Sequence, residues 1–389
     1  GMEFKSLIPL VQEDVDRVRA KEKPQVVIVA VHSGTGLGDG TIYESQGKDL
    51  LRTLRGVDFL VCSHDHSALA IRQDSICLIN SGSHARNIGH GRINLTLKDG
   101  KVVSKTVGAD IIKVNAARVD TAMEAAFRPE FEKVKAFTLR EVGSLDTDLL
   151  SRDSYAGMCP YMNLIHTLTI SPDMAQISFA APLAFDKEIK AGKLVYNDLF
   201  TIYPYENQLV VIKMKGDEIL RYLEYSYDNW IQIYESGGHV LKIEEGEDQR
   251  TFQTGWHFIN RSYNFDSAAG LVYTVDVTKS YGERVKIASL AGGDQFCADS
   301  TYNVSMTSYR AAGGGNLLSK GAGIDTGNMD DRIVARLDDI RNVLYDYVQH
   351  VGTIKVSEIS NPAILGHWEF IPSQAVPALR ADMKLLFGN

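Results

Sequence analysis

The sequence predicts a mixed protein of α/β and α+β units, organised in two or three domains. The 389 residues are 44% hydrophobic and 23% charged, which is typical of a folded protein of this length. Apolar runs of strand length alternate with amphipathic helical segments, and two of those runs end in polar residues. The formal net charge is -8 and no Lys/Arg-rich block occurs, which excludes a nucleic-acid polymer as partner. No stretch approaches the ~20 apolar residues of a membrane span.

The first part of the chain reads as an α/β unit. Residues 8–21 have the spacing of a helix, and the unbroken apolar run Gln25–Val31 predicts a buried strand. The elements predicted after these are a helix over Asp49–Leu54, strands over Val57–Cys62 and Ile76–Ile79, a hairpin over Ile93–Val103 that turns at Asp99-Gly100, and a last strand over Ile111–Val114.

The pattern changes to a charged helix over about residues 116–142, which we interpret as a connection between domains, with the boundary near residue 145. The second part mixes strands and helices. The elements predicted there are a strand over Leu209–Met214, an amphipathic helix over Gly216–Asp228, a strand pair over Leu271–Val277 and Val285–Leu290, a strand over Tyr302–Met306 and a long helix over Asp331–His350.

The four cysteines form no Cys-x-x-Cys pair and are far sparser than in a secreted disulfide scaffold. Their number is compatible with free buried thiols or with one disulfide. The cysteines therefore do not identify a cellular compartment.

Histidines follow two of the predicted strands. The first strand ends in His32-Ser33-Gly34, and the second ends in Cys62-Ser63-His64-Asp65-His66. Loops at the carboxyl ends of strands are where α/β folds place their chemistry, and neutral imidazole is a good ligand for Zn, Mn or Fe. An isolated His-x-His pair is as often a solvated turn as a ligand pair, but the third histidine favours a metal site formed by His32, His64 and His66.

This order of motifs resembles the last two motifs of the calcineurin-like metallophosphatases, written SHxG and GHxH. The resemblance implies that His32 and His64 bind one metal ion and that His66 binds a second. It also implies that residues 1–115 are the C-terminal portion of a metallophosphatase β-sandwich domain, followed by a linker helix over 116–145. Cys62-Ser63 departs from the two glycines that the family often has at this position.

Three motifs of the second part resemble the C-terminal domain of the 5'-nucleotidase family: Tyr203-Pro204-Tyr205-Glu206-Asn207, Tyr263-Asn264-Phe265-Asp266 and the segment 308–315. Their forms are closest to the 2',3'-cyclic-nucleotide 2'-phosphodiesterase/3'-nucleotidase branch. The resemblance implies that residues 146–389 are a substrate-binding domain.

In that family two aromatic rings clamp the nucleoside base, and the matching positions are Tyr205 and Tyr309. Asn207 can supply an amide to the base edge. Stacking is worth about 1–3 kcal/mol per base, although without the resemblance we would interpret both tyrosines as half-buried packing residues. The run Gly313-Gly314-Gly315 lacks the features of a Walker or dinucleotide loop, and we expect it to let the backbone turn tightly beside Tyr309.

The resemblance implies a centre of two divalent metal ions, Zn, Mn or similar, in the intact parent enzyme. The family's other ligand and catalytic motifs, DxH, GDxxD and GNHE or GNHD, precede the strand that ends at His32, and this chain contains none of them there. We therefore expect a chain that begins inside the metallophosphatase domain, carries no catalytic residue of its own, and cannot build the whole centre. A complementing N-terminal fragment or self-association would cover the apolar surface that is left.

The function implied for the parent is phosphoester hydrolysis of 2',3'-cyclic nucleotides and 3'-nucleotides, with this chain inactive alone. Two alternatives stay open: 5'-nucleotidase or UDP-sugar hydrolase specificity in the parent, and a nucleotide-binding module without catalysis. In each case the partner is a small nucleotide or nucleoside. Family members are usually exported to the periplasm or cell surface. The remaining histidines, which include His84 and His166, are expected to be structural or to border the site.

Overall fold

The computed structural model describes residues 6–41, 44–170, 174–248 and 254–388. By their internal contacts these residues divide into two units, one within 1–124 and 247–255 and the other within 125–246 and 256–389. Each is described separately. In the described ranges, no helix has both the length and the apolar character that crossing a membrane requires.

The first unit contains most of the helices and strands that the apolar patterns predict, and one strand that they do not predict. Its elements are α1 (Leu7–Glu22), β1 (Ile28–Ala30), α2 (Gly47–Thr53), β2 (Phe59–Cys62), β3 (Ala68–Gln73), β4 (Ile76–Ser81), β5 (Asn87–Lys98) and β6 (Lys101–Lys113). The predicted hairpin is confirmed as β5 and β6. The separate strand predicted over Ile111–Val114 is wrong, because these residues lie at the end of β6 and just after it. The strand β3 was not predicted.

Four strands form a sheet in the order β1-β2-β4-β3, in which β1, β2 and β4 are parallel. Successive side chains of a strand point to opposite faces. Leu60 therefore packs in one buried cluster with Val15 of α1 and Leu50 of α2. Phe59 packs in a second cluster with Val107 of β6. The sheet thus lies between two helices and a β-hairpin.

The prediction of a buried strand over Gln25–Val31 is wrong in its extent and in its burial. β1 has three residues, and Ile28 is 59% exposed. The physical reason is its position in the sheet, because β1 is an end strand and, among the described strands, pairs with β2 alone. An apolar run does not distinguish a central strand from an end strand.

The helix predicted over about residues 116–142 is present as the shorter α3 (Thr121–Thr138), and it has no buried side chain. Its large apolar residues recur every three or four positions and so share one face. Those on this face that are more than half exposed are Met123, Phe127, Phe131 and Val134.

The rest of the chain is a mixed α/β arrangement. Its helices are α4 (Pro160–Thr169), α5 (Tyr196–Ile202), α6 (Gly216–Trp230), α7 (Ser308–Ala311), α8 (Ile340–Val351), α9 (Val356–Ile359), α10 (Pro362–Leu365) and α11 (Val376–Phe387). Its strands are β7 (Glu141–Leu145), β8 (Leu149–Leu150), β9 (Ile177–Ala180), β10 (Glu188–Ile189), β11 (Gly192–Val195), β12 (Gln208–Lys215), β13 (Ile243–Glu247), β14 (Thr254–Phe258), β15 (Ser267–Ala269), β16 (Leu271–Asp276), β17 (Val285–Leu290), β18 (Thr301–Thr307), β19 (Ile333–Asp339), β20 (Thr353–Ile354) and β21 (Gly366–Ile371).

A five-stranded sheet in the order β15-β9-β18-β12-β19 forms the centre of the second unit. The amphipathic helix α6 buries Ile219, Leu223 and Tyr227 completely, in one cluster with residues of β12 and β18. The predicted strands β12 and β18, the pair β16–β17 and the helix α6 are confirmed.

The long helix predicted over Asp331–His350 is wrong in its first half. Residues 333–339 form β19, whose side chains alternate between half-buried and exposed, the period-two pattern of a strand with one covered face. The helix α8 begins only after Asp339, whose side chain accepts a 2.9 Å hydrogen bond from the backbone amide of Arg341. That side-chain cap marks the change from strand to helix.

Candidate functional site

His32 and His64 follow two paired strands of the first unit. β1 and β2 are parallel, with Ala30 opposite Val61, so the loops that follow them leave the same edge of the sheet. A 3.1 Å hydrogen bond from the Ser63 amide to the Ser33 carbonyl joins these loops directly. The topology therefore brings the two histidine motifs together, as the sequence suggests.

His32 and His64 are in direct contact. His64 Nδ1 lies 3.2 Å from His32 Nε2, and the two rings meet edge to face with centroids 5.1 Å apart. His64 Nε2 lies 3.6 Å from a carboxylate oxygen of Glu44. Two imidazole nitrogens on one tetrahedral zinc ion would lie about 3.3 Å apart, given Zn–N bonds of about 2.0–2.1 Å. The pair therefore fits two ligand positions on a single ion.

His66 does not join this pair. Its ring lies beside His84, with centroids 6.2 Å apart. Within the part of the chain that the structure describes, no group of three or more His, Cys, Asp or Glu side chains is close enough to hold a metal ion. The structure thus brings together two of the three histidines that the sequence singles out.

The backbone of the second histidine loop is held in an unusual conformation. His64 and His66 have φ angles of 72° and 57°, in the left-handed region that costs a non-glycine residue roughly 1–2 kcal/mol. Asp65 between them accepts a 2.6 Å hydrogen bond from the Thr35 amide and another of 2.6 Å from Asn80 Nδ2. These bonds oppose the strain and tie the loop to its neighbour.

Asn80 is the part of this site that sequence reasoning missed. It is fully buried at the end of β4 and also donates to Thr35 Oγ1 at 3.2 Å and to the Ser63 carbonyl at 3.3 Å. A buried amide after an apolar run, at the strand end next to β2, is the signal that points to it.

Cys62 is buried, and burial is the main cause that raises the pKa of its thiol to about 12, with Asp65 contributing second. The thiol is therefore protonated at neutral pH. All four cysteines are free.

In the second unit, the strand register brings Tyr205 and Tyr309 to the same end of the central sheet. β12 and β18 are antiparallel neighbours, with Leu209 opposite Thr307. Tyr205 precedes the start of β12 and Tyr309 follows the end of β18. Tyr205 and Tyr309 are 49% and 41% exposed, so both offer surface to a ligand.

Asn207 lies between Tyr205 and β12. Its side chain is half-buried, and its backbone carbonyl accepts a 3.0 Å hydrogen bond from the Ile340 amide. Burial raises the pKa of Tyr205, and the nearby Tyr263 raises it further.

The Tyr263–Asp266 and Tyr309–Gly315 motifs meet in a buried ion pair that the sequence analysis did not assign. Arg310 and Asp266 have side chains 4% and 1% exposed, with Arg310 Nη2 2.7 Å from Asp266 Oδ1. Burial opposes the charged form of Arg310, yet Asp266 raises its pKa overall. An arginine directly after the exposed Tyr309, and an aspartate closing the other motif, are the signals that could have found this pair.

The glycine run is confirmed as a tight turn beside Tyr309. Gly313 and Gly315 have φ angles of 95° and 73°, which favour glycine. A Cβ atom on Gly314 would lie 2.4–2.5 Å from the ring atoms of Tyr309. The absent side chain is what lets the ring rest against the backbone.

These features define a two-unit protein with a histidine pair at the strand ends of one α/β unit and an exposed tyrosine pair on the other. Residues 141–320 match the family model described as "5'-nucleotidase, C-terminal domain". Residues 141–320 therefore belong to the 5'-nucleotidase C-terminal domain family, and the predicted fold class is confirmed.

Curated relatives carry nucleotide-hydrolase names. The trifunctional nucleotide phosphoesterase protein YfkN of Bacillus subtilis is 21% identical over 95% of this chain and 27% of its own length. The 2',3'-cyclic-nucleotide 2'-phosphodiesterase/3'-nucleotidases of Haemophilus influenzae and Salmonella typhimurium are 22% and 23% identical, over 95% and 91% of this chain. The chain spans 61% and 60% of these two relatives.

Two solved structures share the fold over 95% of this chain and 68% of their own. A candidate 5'-nucleotidase from Staphylococcus aureus superposes with a TM-score of 0.71 at 16% identity. A 5'-nucleotidase precursor from Thermus thermophilus has a TM-score of 0.54 at 18% identity. At these identities the likeness establishes the fold.

Proposed function

We propose that this chain supplies the nucleotide-recognition domain, and part of the metal centre, of a phosphoesterase that hydrolyses 2',3'-cyclic nucleotides and 3'-nucleotides. The names of the relatives from Haemophilus influenzae and Salmonella typhimurium support this substrate class. The observation that carries the proposal is the register of β12 and β18, which places two exposed tyrosine rings at one end of the sheet.

Two exposed aromatic rings at one sheet end suit a nucleoside because every base has a flat π-face. Stacking depends little on base identity, so such a site accepts several nucleotides. The half-buried Asn207 beside Tyr205 can add a hydrogen bond to the base edge. The ribose and phosphate would then extend away from the rings.

In this proposal His32 and His64 hold one divalent ion, and His66 contributes to a second. Bound divalent ions lower the pKa of water and neutralise phosphate charge in hydrolysis of this kind. In this chain the imidazoles of His32 and His64 orient each other at 3.2 Å, and the Asp65–Asn80 bonds hold the loop that carries His64.

We also infer that the chain alone has little or no phosphoesterase activity with Mn²⁺ or Zn²⁺, because no DxH, GDxxD or GNHE motif precedes His32 in its sequence. Hydrolysis of 3'-AMP by the purified chain at rates typical of the family would contradict this. Export to the periplasm or cell surface stays a prediction from the family.

Calorimetric titration with 3'-AMP and adenosine tests nucleotide recognition. We expect Tyr205→Ala and Tyr309→Ala each to weaken binding about 5- to 150-fold, which corresponds to about 1–3 kcal/mol per lost stacking ring. Tyr309→Phe keeps the ring and should bind as the unaltered chain does. Tyr281→Ala is the matched control, since Tyr281 is 50% exposed elsewhere on the same unit. An unaltered chain that binds neither ligand would refute the proposal.

A further inference from the structure

Arg310 uses nearly all of its hydrogen-bonding capacity inside the protein. Its side chain is buried, and Nε and Nη2 bond the two oxygens of Asp266 at 3.0 and 2.7 Å. Nη1 donates to Asn264 Oδ1 and to the Gly314 carbonyl, both at 3.0 Å, and Nη2 also donates to the Tyr263 carbonyl. A planar guanidinium can bridge so many acceptors at once, whereas a lysine ammonium cannot.

These bonds join two separate turns. One is the segment before β15, from Tyr263 to Asp266, and the other is the glycine turn after α7. Asp266 is itself held in place by the core, because the buried Tyr222 donates a 2.5 Å hydrogen bond to its Oδ2. The Tyr222 ring stacks on Phe179 of the central sheet, with centroids 4.2 Å apart. The position of Arg310 is therefore set by the core.

A buried ion pair is weak as a stabilising device, because an apolar pair of similar volume often does as well or better. In some proteins such a pair instead specifies a unique arrangement of the groups around it. Here those groups include the neighbours of Tyr309. The ring rests against Gly314, and the Arg310 guanidinium carbon lies 5.3 Å from the ring centroid. Tyr309 is nevertheless 41% exposed.

We propose that Arg310 is the positioning residue of the nucleotide-binding site, because it fixes the glycine turn and the Tyr263–Asn264 turn that together support the Tyr309 ring as a stacking platform. This inference rests on the proposed function. Arg310 should affect only the binding of the base, because in the proposed function the Tyr309 ring contacts the base and no other part of the nucleotide. Loss of Arg310 should therefore weaken adenosine and 3'-AMP by the same factor.

The test compares Arg310→Lys with the unaltered chain by calorimetric titration of both ligands. Lysine keeps the charge opposite Asp266 but cannot bridge to Gly314 and Tyr263 together. We expect affinity to fall at least tenfold, equally for adenosine and 3'-AMP. Arg284→Lys is the matched control, because Arg284 is also buried and pairs with Asp228 at 2.9 Å; it should leave both affinities unchanged.

A second variant guards against simple misfolding. Asn264→Ala removes one acceptor of Arg310 and keeps the Arg310–Asp266 ion pair, so it should weaken the binding of both ligands several-fold while circular dichroism stays unchanged. If the unaltered chain binds neither ligand, the proposed function and this inference both fail. If the unaltered chain binds the ligands and Arg310→Lys binds them equally well, the positioning role alone is refuted. The same holds if Arg310→Lys loses affinity for 3'-AMP but not for adenosine.

Discussion

Two regions of this protein present rings to solvent after strand ends, and they are supported in different ways. The His64 side chain is 40% exposed and Tyr309 is 41% exposed. The histidine loop is held through the side-chain carboxylate of Asp65, which accepts hydrogen bonds from the Thr35 amide and from Asn80 Nδ2. The tyrosine rests on a glycine beside a buried ion pair. Residues of similar exposure are therefore supported in two ways: by neutral donors to a half-buried carboxylate in the first region, and by a buried ion pair in the second.

The largest effect should come from breaking the buried Arg310–Asp266 ion pair. Asp266→Ala strands Arg310 in the core, and we expect the free energy of unfolding of the second unit to fall by about 3–5 kcal/mol. Urea unfolding followed by tryptophan fluorescence measures this, because Trp230, Trp256 and Trp368 all belong to the second unit. A loss below about 1 kcal/mol would show that the pair is not buried as described.

A buried histidine contrasts with the exposed ones. His166 is enclosed in the second unit, where its ring nitrogens lie 3.0 Å from Ser178 Oγ and 3.2 Å from Ser267 Oγ. Burial lowers the pKa of His166 from 6.5 to about 4. Between these two pH values His166 binds a proton in the unfolded chain and not in the folded chain. The contribution of His166 to stability is therefore fully present above about pH 6.5 and is lost as the pH falls to about 4.

This difference in pKa corresponds to about 3 kcal/mol of unfolding free energy. Urea unfolding at pH 7 and at pH 4, again by tryptophan fluorescence, should show the decline, and His166→Asn should remove most of this component. An identical pH dependence in the variant would contradict the assignment. His350→Asn, which changes an exposed histidine in the same unit, is the control.

The bracing of the histidine loop predicts a smaller effect. Asn80→Ala removes a buried amide that donates to the half-buried Asp65 carboxylate, and we expect about 1–3 kcal/mol of local destabilisation. Faster hydrogen exchange of β2 and β4 amides, together with shifted imidazole resonances of His64 and His66, would report it. The exposed Asn94→Ala should change neither, and nucleotide affinity should be unaffected in both variants.

The sequence predicted those features that leave a periodic apolar pattern or a recognisable order of motifs. Apolar spacing located α1, α6, β12 and β18, and the motifs located the tyrosines. Periodicity alone did not reveal that β1 is an end strand or that residues 333–339 alternate as β19, because both depend on neighbours supplied by the tertiary fold.

The residues that support the histidine loop and the Tyr309 ring were not predicted, because they too depend on the tertiary fold. Asn80 and Asp266 act across pairings of residues 15 and 44 positions apart, which no local pattern records. The histidine pair was foreseen because both motifs end parallel strands. The spacing does not determine whether His66 lies next to this pair, and the structure places its ring beside His84.

The smallest expected effect isolates the support of the tyrosine ring from the stability of the fold. Gly314→Ala would put a methyl group 2.4–2.5 Å from ring atoms of Tyr309, so the ring must shift away. We expect nucleotide affinity to fall about tenfold, within the range of ~1–3 kcal/mol for one stacking contact, with little change in unfolding free energy because the ring can move into solvent. Gly292→Ala is the control, since no atom lies within 4 Å of the added methyl there. Unchanged affinity for 3'-AMP in Gly314→Ala would mean that the position of this ring does not govern recognition, and the contrast between the two regions would then concern stability alone.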